Sequence, residues 1–391
     1  MKQRSDRVRL TAQRYVDMGA YASLEWLVLR DGRTWLRGAV GKADPANDIA
    51  LPESPIHRIY SMTKPVISAI ILMLVEEGKL RLYDPVAAWI PSFARLEVMD
   101  PDGKRRKPST FMNIEHLLTH RSGLTYGFLP DCHVAPLYRE TTLRSDAGPL
   151  AGMIDIIAGL PLAFDPGTKW RYSVATDVLG RIIEIAENEP LNKVVRRRII
   201  EPLGLADTDY RVPAEKRARL MPMFGNDNLD SLFKMPEGPQ KLTPANVDEL
   251  YPHDSPDFAR GGYGLFSTLD DYALIADFLA SGQNKAGDVL LSPHMTRMMW
   301  RNRIPDSQMP LLLGPVRLAG YGFGLAGRIM ARHGEAESLS GANEFGWSGA
   351  ASTFFWIDPD EPMVGILMAQ YLGSRYPVAD DIRAACYQAL E

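Results

Sequence analysis

From Val66 to Val75 every position except Ser68 carries an apolar side chain, whereas the segments on either side mix apolar and polar residues. Ser61 and Pro65 stand at one end of this run and Glu76, Glu77 and Gly78 at the other. The pattern predicts a helix with a hydroxyl residue at its start, a proline in the first turn where a missing N–H costs little, and a glycine stop. Being apolar on all sides, it is expected to be buried and central.

Ahead of it, Val8–Met18 reads as a helix, and the runs 24–30 and 33–40 flank Asp31-Gly32, a strong hairpin signal. After Gly78 the periodic segments 114–120, 153–160, 174–186 and 191–200 read as helices separated by prolines, glycines and aspartates. The stretch 221–253, rich in glycine, asparagine and proline, is expected to be a mobile loop over the site and not packed structure. Strand character returns at 321–330, 351–357 and 363–370, with Asp358-Pro359-Asp360 as a turn, and 383–390 reads as a closing helix. The expected fold class is α/β of the α+β type: an antiparallel sheet made from both chain ends, flanked by helices, with an inserted mainly helical lobe. On this reading residues 1–83 and 262–391 form a discontinuous α/β domain, 84–261 the helical domain, and the active site lies between them.

Composition narrows the function classes without choosing one. A chain of 391 residues, 46% hydrophobic and 24% charged, buries a substantial core, and a net charge of -4 gives no bias toward nucleic acid or an anionic membrane. The short basic clusters 104–107 and 196–198 read as a hairpin tip and a solvated helix face. Cys132 and Cys386 fit neither a disulfide framework nor a zinc spacing. His116 and His120 lie four apart, but Leu117 stands where the metalloprotease pattern needs glutamate, so no metal is expected. The basic N-terminus lacks an apolar signal region and no stretch has transmembrane length, so a cytoplasmic location is expected. Oligomeric state is not encoded in any of these features.

Chemistry enters at Ser61 and Lys64, three apart and therefore on one helix face. A serine hydroxyl becomes nucleophilic when a neighbouring base takes its proton, and a lysine is such a base once burial and nearby positive potential lower its pKa. S-x-x-K alone is weak: Ser231-Leu232-Phe233-Lys234 is a second copy, set in loop composition that offers no helix to order it.

Two further segments give the motif its weight: Trp170-Arg171-Tyr172-Ser173-Val174 at the mouth of a helix, and Gly346-Trp347-Ser348-Gly349-Ala350 ahead of a strand. With these in order, the chain resembles the serine β-lactamase and penicillin-binding-protein superfamily, specifically class C β-lactamases and family VIII carboxylesterases. The resemblance implies that Ser61 is the acylated nucleophile, that Lys64 is its proton partner, and that Tyr172 acts with Lys64 as general base, a cation beside the phenol favouring its phenolate. It implies an oxyanion hole from the backbone N–H groups of Ser61 and Ala350, and substrate contacts from Trp347, Ser348, Gly349, Tyr126 and Val174. No metal or organic cofactor is implied.

The departures matter as much. Class C β-lactamases carry asparagine two residues after the tyrosine and lysine-threonine-glycine as third motif; here Val174 and Trp347-Ser348-Gly349 stand in those places. Losing the lysine and the amide leaves a more apolar site, suited to an uncharged ester. The expected activity is hydrolysis of short- to medium-chain carboxylic esters, small molecules, with weak or no β-lactamase activity. The alternatives are an acyltransferase of the same fold, a β-lactamase or D-aminopeptidase-type hydrolase, and a non-catalytic ligand-binding relative. No nucleic-acid or membrane partner is expected.

Overall fold

A computed structural model of the chain describes residues 2–141, 143, 148–233 and 239–390. Its first elements are the helix α1 (Lys2–Asp17) and the strands β1 (Ser23–Arg30) and β2 (Arg33–Gly41). Asp31 and Gly32 turn the hairpin with φ of 50° and 69°, the left-handed pair that a two-residue turn demands. α2 (Thr63–Glu76) is the apolar run of the sequence, buried from Thr63 to Leu74, and Gly78 leaves it at φ 73°.

The helical region that follows includes α3 (Ala175–Glu187), which packs against α2. The segment 191–203 continues as one helical run with a π-helical stretch at Arg196–Ile200. Its three arginines are ion-paired and not simply solvated: Arg196 to Asp209, Arg197 to Glu187 and Glu189, Arg198 to Glu77 and Glu187.

A helix that the sequence pattern had not announced, α4 (Leu269–Ser281), lies against β7 and β1. Its signals are nonetheless present: the Thr268 hydroxyl accepts from the Asp271 N–H at 3.2 Å, and Gly282 ends the helix at φ 77°. The late strands are β3 (Tyr321–Phe323), β4 (Arg328–Met330), β5 (Phe345–Gly349), β6 (Thr353–Asp358) and β7 (Met363–Met368), followed by α5 (Val378–Ala389). The run 321–330 is thus a hairpin and not one strand, and Gly346–Gly349 is itself a strand and not the approach to one. Sheet order is β3-β4-β5-β6-β7-β1-β2, antiparallel throughout.

Period-two alternation splits the sheet's side chains between two cores. Leu24, Trp26, Val28, Phe354, Trp356 and Leu367 point toward α1 and α5. Leu27, Phe355, Ile357, Ile366 and Met368 point the other way, into the larger core that contains α2, α3 and α4. β1 and β7 pair from Glu25↔Met368 to Arg30↔Met363, so the two chain ends meet in the middle of the sheet.

The segment 221–253 departs from the mobile loop expected of it. Met221, Met223, Val247 and Tyr251 are buried in a third cluster with Ile56 and Tyr60, and Phe224–Gly225 pairs with Tyr371–Leu372. Glycine and proline content misleads here because apolar residues of the segment, though sparse, pack into that cluster. Among the described residues no helix is long and apolar enough to cross a membrane.

Candidate active site

Ser61 lies in a 3-10 turn, Tyr60–Met62, that runs directly into α2. The hydroxyl expected to cap the helix does not do so: the cap positions are Ile59 and Met62, and neither side chain makes a capping bond. The Ser61 hydroxyl is therefore left for other work, and the first N–H groups of the turn have no intrahelical acceptor. Tyr60, immediately before it, is held at φ 45°, a left-handed conformation that costs a tyrosine about 1–3 kcal/mol. Its ring is locked against Tyr251, centroids 4.8 Å apart, within the cluster that 221–253 builds.

Lys64 is buried, and its Nζ donates to Ser61 Oγ at 3.1 Å and to the Gly262 carbonyl at 2.6 Å. The same nitrogen sits over the rings of Tyr172 at 4.7 Å and Tyr126 at 5.3 Å. Burial pulls its pKa down to about 7, against the opposing pull of Asp177. Near neutrality a large share of Lys64 is free amine, able to take the Ser61 proton.

Tyr172 comes from the segment leading into α3. Its ring packs among Trp347, Tyr126 and His120, with centroids 5.3, 5.3 and 4.8 Å away, and its hydroxyl accepts from Trp347 Nε1 at 3.3 Å. Burial pushes the phenol well above its ordinary value of 10, and hydrogen bonds with Ser61 and Trp347 offset only part of that. Burial thus works against the phenolate that a neighbouring cation would favour. Burial acts in the same way on both groups, favouring the free amine of Lys64 and the neutral phenol of Tyr172.

The third motif approaches from β5. A Cβ on Gly349 would stand 2.3 Å from the Ile59 carbonyl oxygen and 2.2 Å from Thr353 Oγ1, so only glycine lets the strand end close onto the Ser61 turn. Ala350 follows at once, and Ser61 and Ala350 line one cavity.

That cavity measures about 700 Å3. Tyr126, Trp347, Ser348 and Gly349 line it as expected; Val174 does not, being buried at the start of α3. Phe128, Leu229, Leu232, Phe233, Leu313 and Val316 form an apolar wall that the motifs do not reveal. They come from three separate chain regions, Phe128, the segment 229–233 and the hairpin that pairs Leu311–Leu313 with Val316–Leu318, and nothing in the sequence signals that these converge. Ser231 of the second S-x-x-K copy sits in a 3-10 turn beside this wall, and Lys234 is outside the described residues. His116 packs beside Gly167, and His120, buried against Tyr172, is held neutral by burial and the nearby Lys64 charge. Among the described residues no group of three or more His, Cys, Asp or Glu could hold a metal ion.

Asp177 was hidden from the sequence pattern for a physical reason. On α3 the apolar stripe runs through Ala175, Val178, Leu179, Ile182 and Ile183, which leaves Asp177 on the face where acids are ordinarily solvated. It is fully buried because the 260–263 segment lies over that face. A Cβ on Gly261 would stand 2.0 Å from the Thr176 carbonyl oxygen, a close approach that only glycine permits.

The comparisons with known proteins agree with this architecture. The sequence profile of the Beta-lactamase family matches residues 8–389. An uncharacterised protein of Mycobacterium tuberculosis is 33% identical over 340 residues, 85% of this chain and 81% of that protein. Esterase EstB of Burkholderia gladioli is 27% identical over 380 residues, 92% of this chain and 89% of the esterase. Among solved structures, EstCE1, described as a hydrolase with promiscuous acyltransferase activity, superposes with a TM-score of 0.82 at 24% identity over 99% of both chains, a likeness of fold.

Proposed function

The chain belongs to the beta-lactamase family, and from that premise we propose that it is a serine carboxylesterase that hydrolyses short- to medium-chain carboxylic esters through a Ser61 acyl-enzyme. The observation that carries the reading is the Ser61–Lys64–Tyr172 cluster opening on a largely apolar cavity, with tryptophan where a lactam-binding cation would stand. Esterase EstB, similar over most of the chain, carries an esterase name, which supports the same class.

In the proposed cycle the ester carbonyl oxygen turns toward the N–H groups of Ser61 and Ala350, which stabilise the charge that develops there. Lys64 takes the Ser61 proton as Oγ attacks the carbonyl carbon. The tetrahedral intermediate collapses, and the alcohol leaves with a proton relayed through Lys64 and the Tyr172 hydroxyl. A water then attacks the acyl-enzyme, gives its proton back along the same relay, and releases the acid and free Ser61. Because the three groups share protons, the cluster titrates as a unit.

The test is a burst of chromogenic alcohol from an activated short-chain ester, followed by steady release, together with a Ser61→Ala variant and covalent labelling by a fluorophosphonate. A Ser61→Ala variant that retains turnover and labelling overturns the reading. The second reading, transfer of the acyl group to another alcohol or amine, is favoured by the name of EstCE1 and differs only in the acceptor. Product analysis with and without an added acceptor separates the two.

A further inference from the structure

Asp177 is fully buried and does not itself line the cavity, but it lies directly behind Gly262, which does. Its Oδ1 accepts the Gly262 N–H at 2.8 Å, and the carbonyl of the same glycine accepts from Lys64 Nζ at 2.6 Å. One residue, Gly262, therefore bridges the carboxylate and the ammonium, through the N–H of one peptide and the carbonyl of the next. The other oxygen, Oδ2, is buried with no hydrogen-bond partner. An acceptor stranded in this way ordinarily destabilises a fold, more so when charged, and a fold that merely needed to fill the space would do so with an amide or an apolar residue.

The geometry around this bridge is tight. A Cβ on Gly262 would meet Asp177 Oδ2 at 2.7 Å and the Tyr126 hydroxyl at 2.8 Å, so the strip is seated directly on the carboxylate. On the far side Ile59 N–H donates to the Leu265 carbonyl at 3.2 Å, and His57–Arg58 pairs with Phe266–Ser267, which joins the strip to the segment that delivers Ser61. The charged and titratable groups around the carboxylate are Lys64 from α2, Arg260 from the overlying strip, and the phenols Tyr126, Tyr172 and Tyr210. Arg260 directs one nitrogen to the Gly148 carbonyl and another to the Ala259 carbonyl, and its guanidinium lies over the Phe258 ring at 4.7 Å.

We propose that Asp177 is a positioning residue for Lys64: through the Gly262 peptide it fixes where the lysine nitrogen stands, and by its charge it sets how readily that nitrogen gives up its proton. This rests on the proposed serine-hydrolase reading for its role in turnover, although the electrostatic link holds in the free protein whatever the substrate. Burial pushes the Asp177 carboxyl above its ordinary value and the Lys64 charge opposes that rise, while Asp177 in turn opposes the desolvation of the Lys64 ammonium. Position and proton affinity of the base are thus controlled by one side chain outside the cavity.

Asp177→Asn is the informative variant, since it keeps the shape and an acceptor for Gly262 while removing the charge. The titration of Lys64 is read directly by NMR of protein carrying 13Cε-labelled lysine, the resonance assigned with Lys64→Ala. In Asp177→Asn the midpoint moves to lower pH by ~1 unit, as expected for loss of a nearby opposite charge. The acid limb of kcat/KM for an activated ester moves in the same direction, with KM little changed. Asp177→Ala, which removes the anchor as well, loses ~10- to 100-fold in kcat, the scale of a displaced catalytic group. A Lys64 midpoint unmoved in folded Asp177→Asn, with only the melting temperature lowered, overturns the proposal. The NMR titration needs no substrate, so a wild-type protein without ester turnover would overturn the esterase reading and leave this result to be judged by itself.

Discussion

Trp347 donates its indole N–H to the Tyr172 hydroxyl at 3.3 Å, with the two rings tilted at 50°. The third motif is thereby tied to the second by a neutral bond, and the phenol stays a phenol. Trp347→Phe keeps most of the apolar surface and deletes the donor. Its kcat on an activated ester is expected to fall roughly 2- to 10-fold, the worth of a neutral hydrogen bond, with KM nearly unchanged. An unaltered kcat would show that this bond has no part in turnover.

Trp347→Lys is expected to move the ratio of nitrocefin to ester hydrolysis toward the lactam. A charge-assisted bond contributes on the order of 1.5–3 kcal/mol, which sets a ceiling of roughly a hundred-fold. Val174→Asn is expected to add nothing to lactam turnover. Val174 does not reach the cavity, and an amide in its buried place loses stability by about 1–3 kcal/mol, measurable as a lower urea midpoint.

Ser61→Ala, Lys64→Ala and Tyr172→Phe are expected to lower kcat steeply. The Lys64→Ala/Tyr172→Phe double variant should be little worse than the poorer single one, since groups that pass one proton fail together. Losses that multiply would mean that the two act independently.

Lys64, with a pKa near 7 in place of 10.5, predicts activity that rises through pH 7 as the amine is freed. The same shift has a stability consequence whose sign is fixed. Between about 7 and 10.5 the unfolded chain holds a proton that the folded chain has shed, so stability increases with pH across that window. Below it both states are charged and the full burial cost is felt. Lys64→Met is therefore expected to be more stable than wild type at pH 7 and to lose the alkaline gain, measured by urea unfolding at pH 7 and pH 9. Glu25, raised to about 7 by burial, titrates below this window and with the opposite sign. A wild-type stability that is flat from pH 7 to 9 would contradict a buried, depressed Lys64.

Phe128 and Phe233 stack at 6.4 Å on the apolar wall of the cavity, and Gly314 packs against the Phe233 ring. Phe233→Ala should widen the mouth and shift preference toward longer or bulkier esters while sparing the smallest. Equal losses on every ester length would mean that the ring supports the fold instead. Excising the whole of 221–253, by contrast, is expected to abolish activity, because Tyr251 from that segment braces Tyr60 behind the nucleophile.

Much of this architecture was legible because its signals are local. The Asp31-Gly32 turn, the uniformly apolar α2 and the three motifs each depend on neighbours in sequence. What escaped depends on distant chain. Asp177 is buried by glycines some eighty positions away, roughly the separation of Asp177 and Gly262. The apolar wall gathers Phe128, Leu232 and Leu313 from three connections. The Tyr172 proton affinity depends on how completely it is enclosed, and composition near the motif suggested a cation's influence where desolvation prevails.

The pairing of Glu25 with Met368 also governs when the molecule can exist. During synthesis the β1–β2 hairpin has no further strand to pair with until β7, near the end of the chain, has emerged. A two-stranded hairpin is at best marginally stable alone, and until then its open edge remains exposed to other chains. The two amides proposed to bind the oxyanion, Ser61 and Ala350, are brought together by that same closure. Ribosome-bound or C-terminally truncated chains are accordingly expected to be inactive and prone to aggregate, with folding in the slow class in which long-range strand pairing comes before reward.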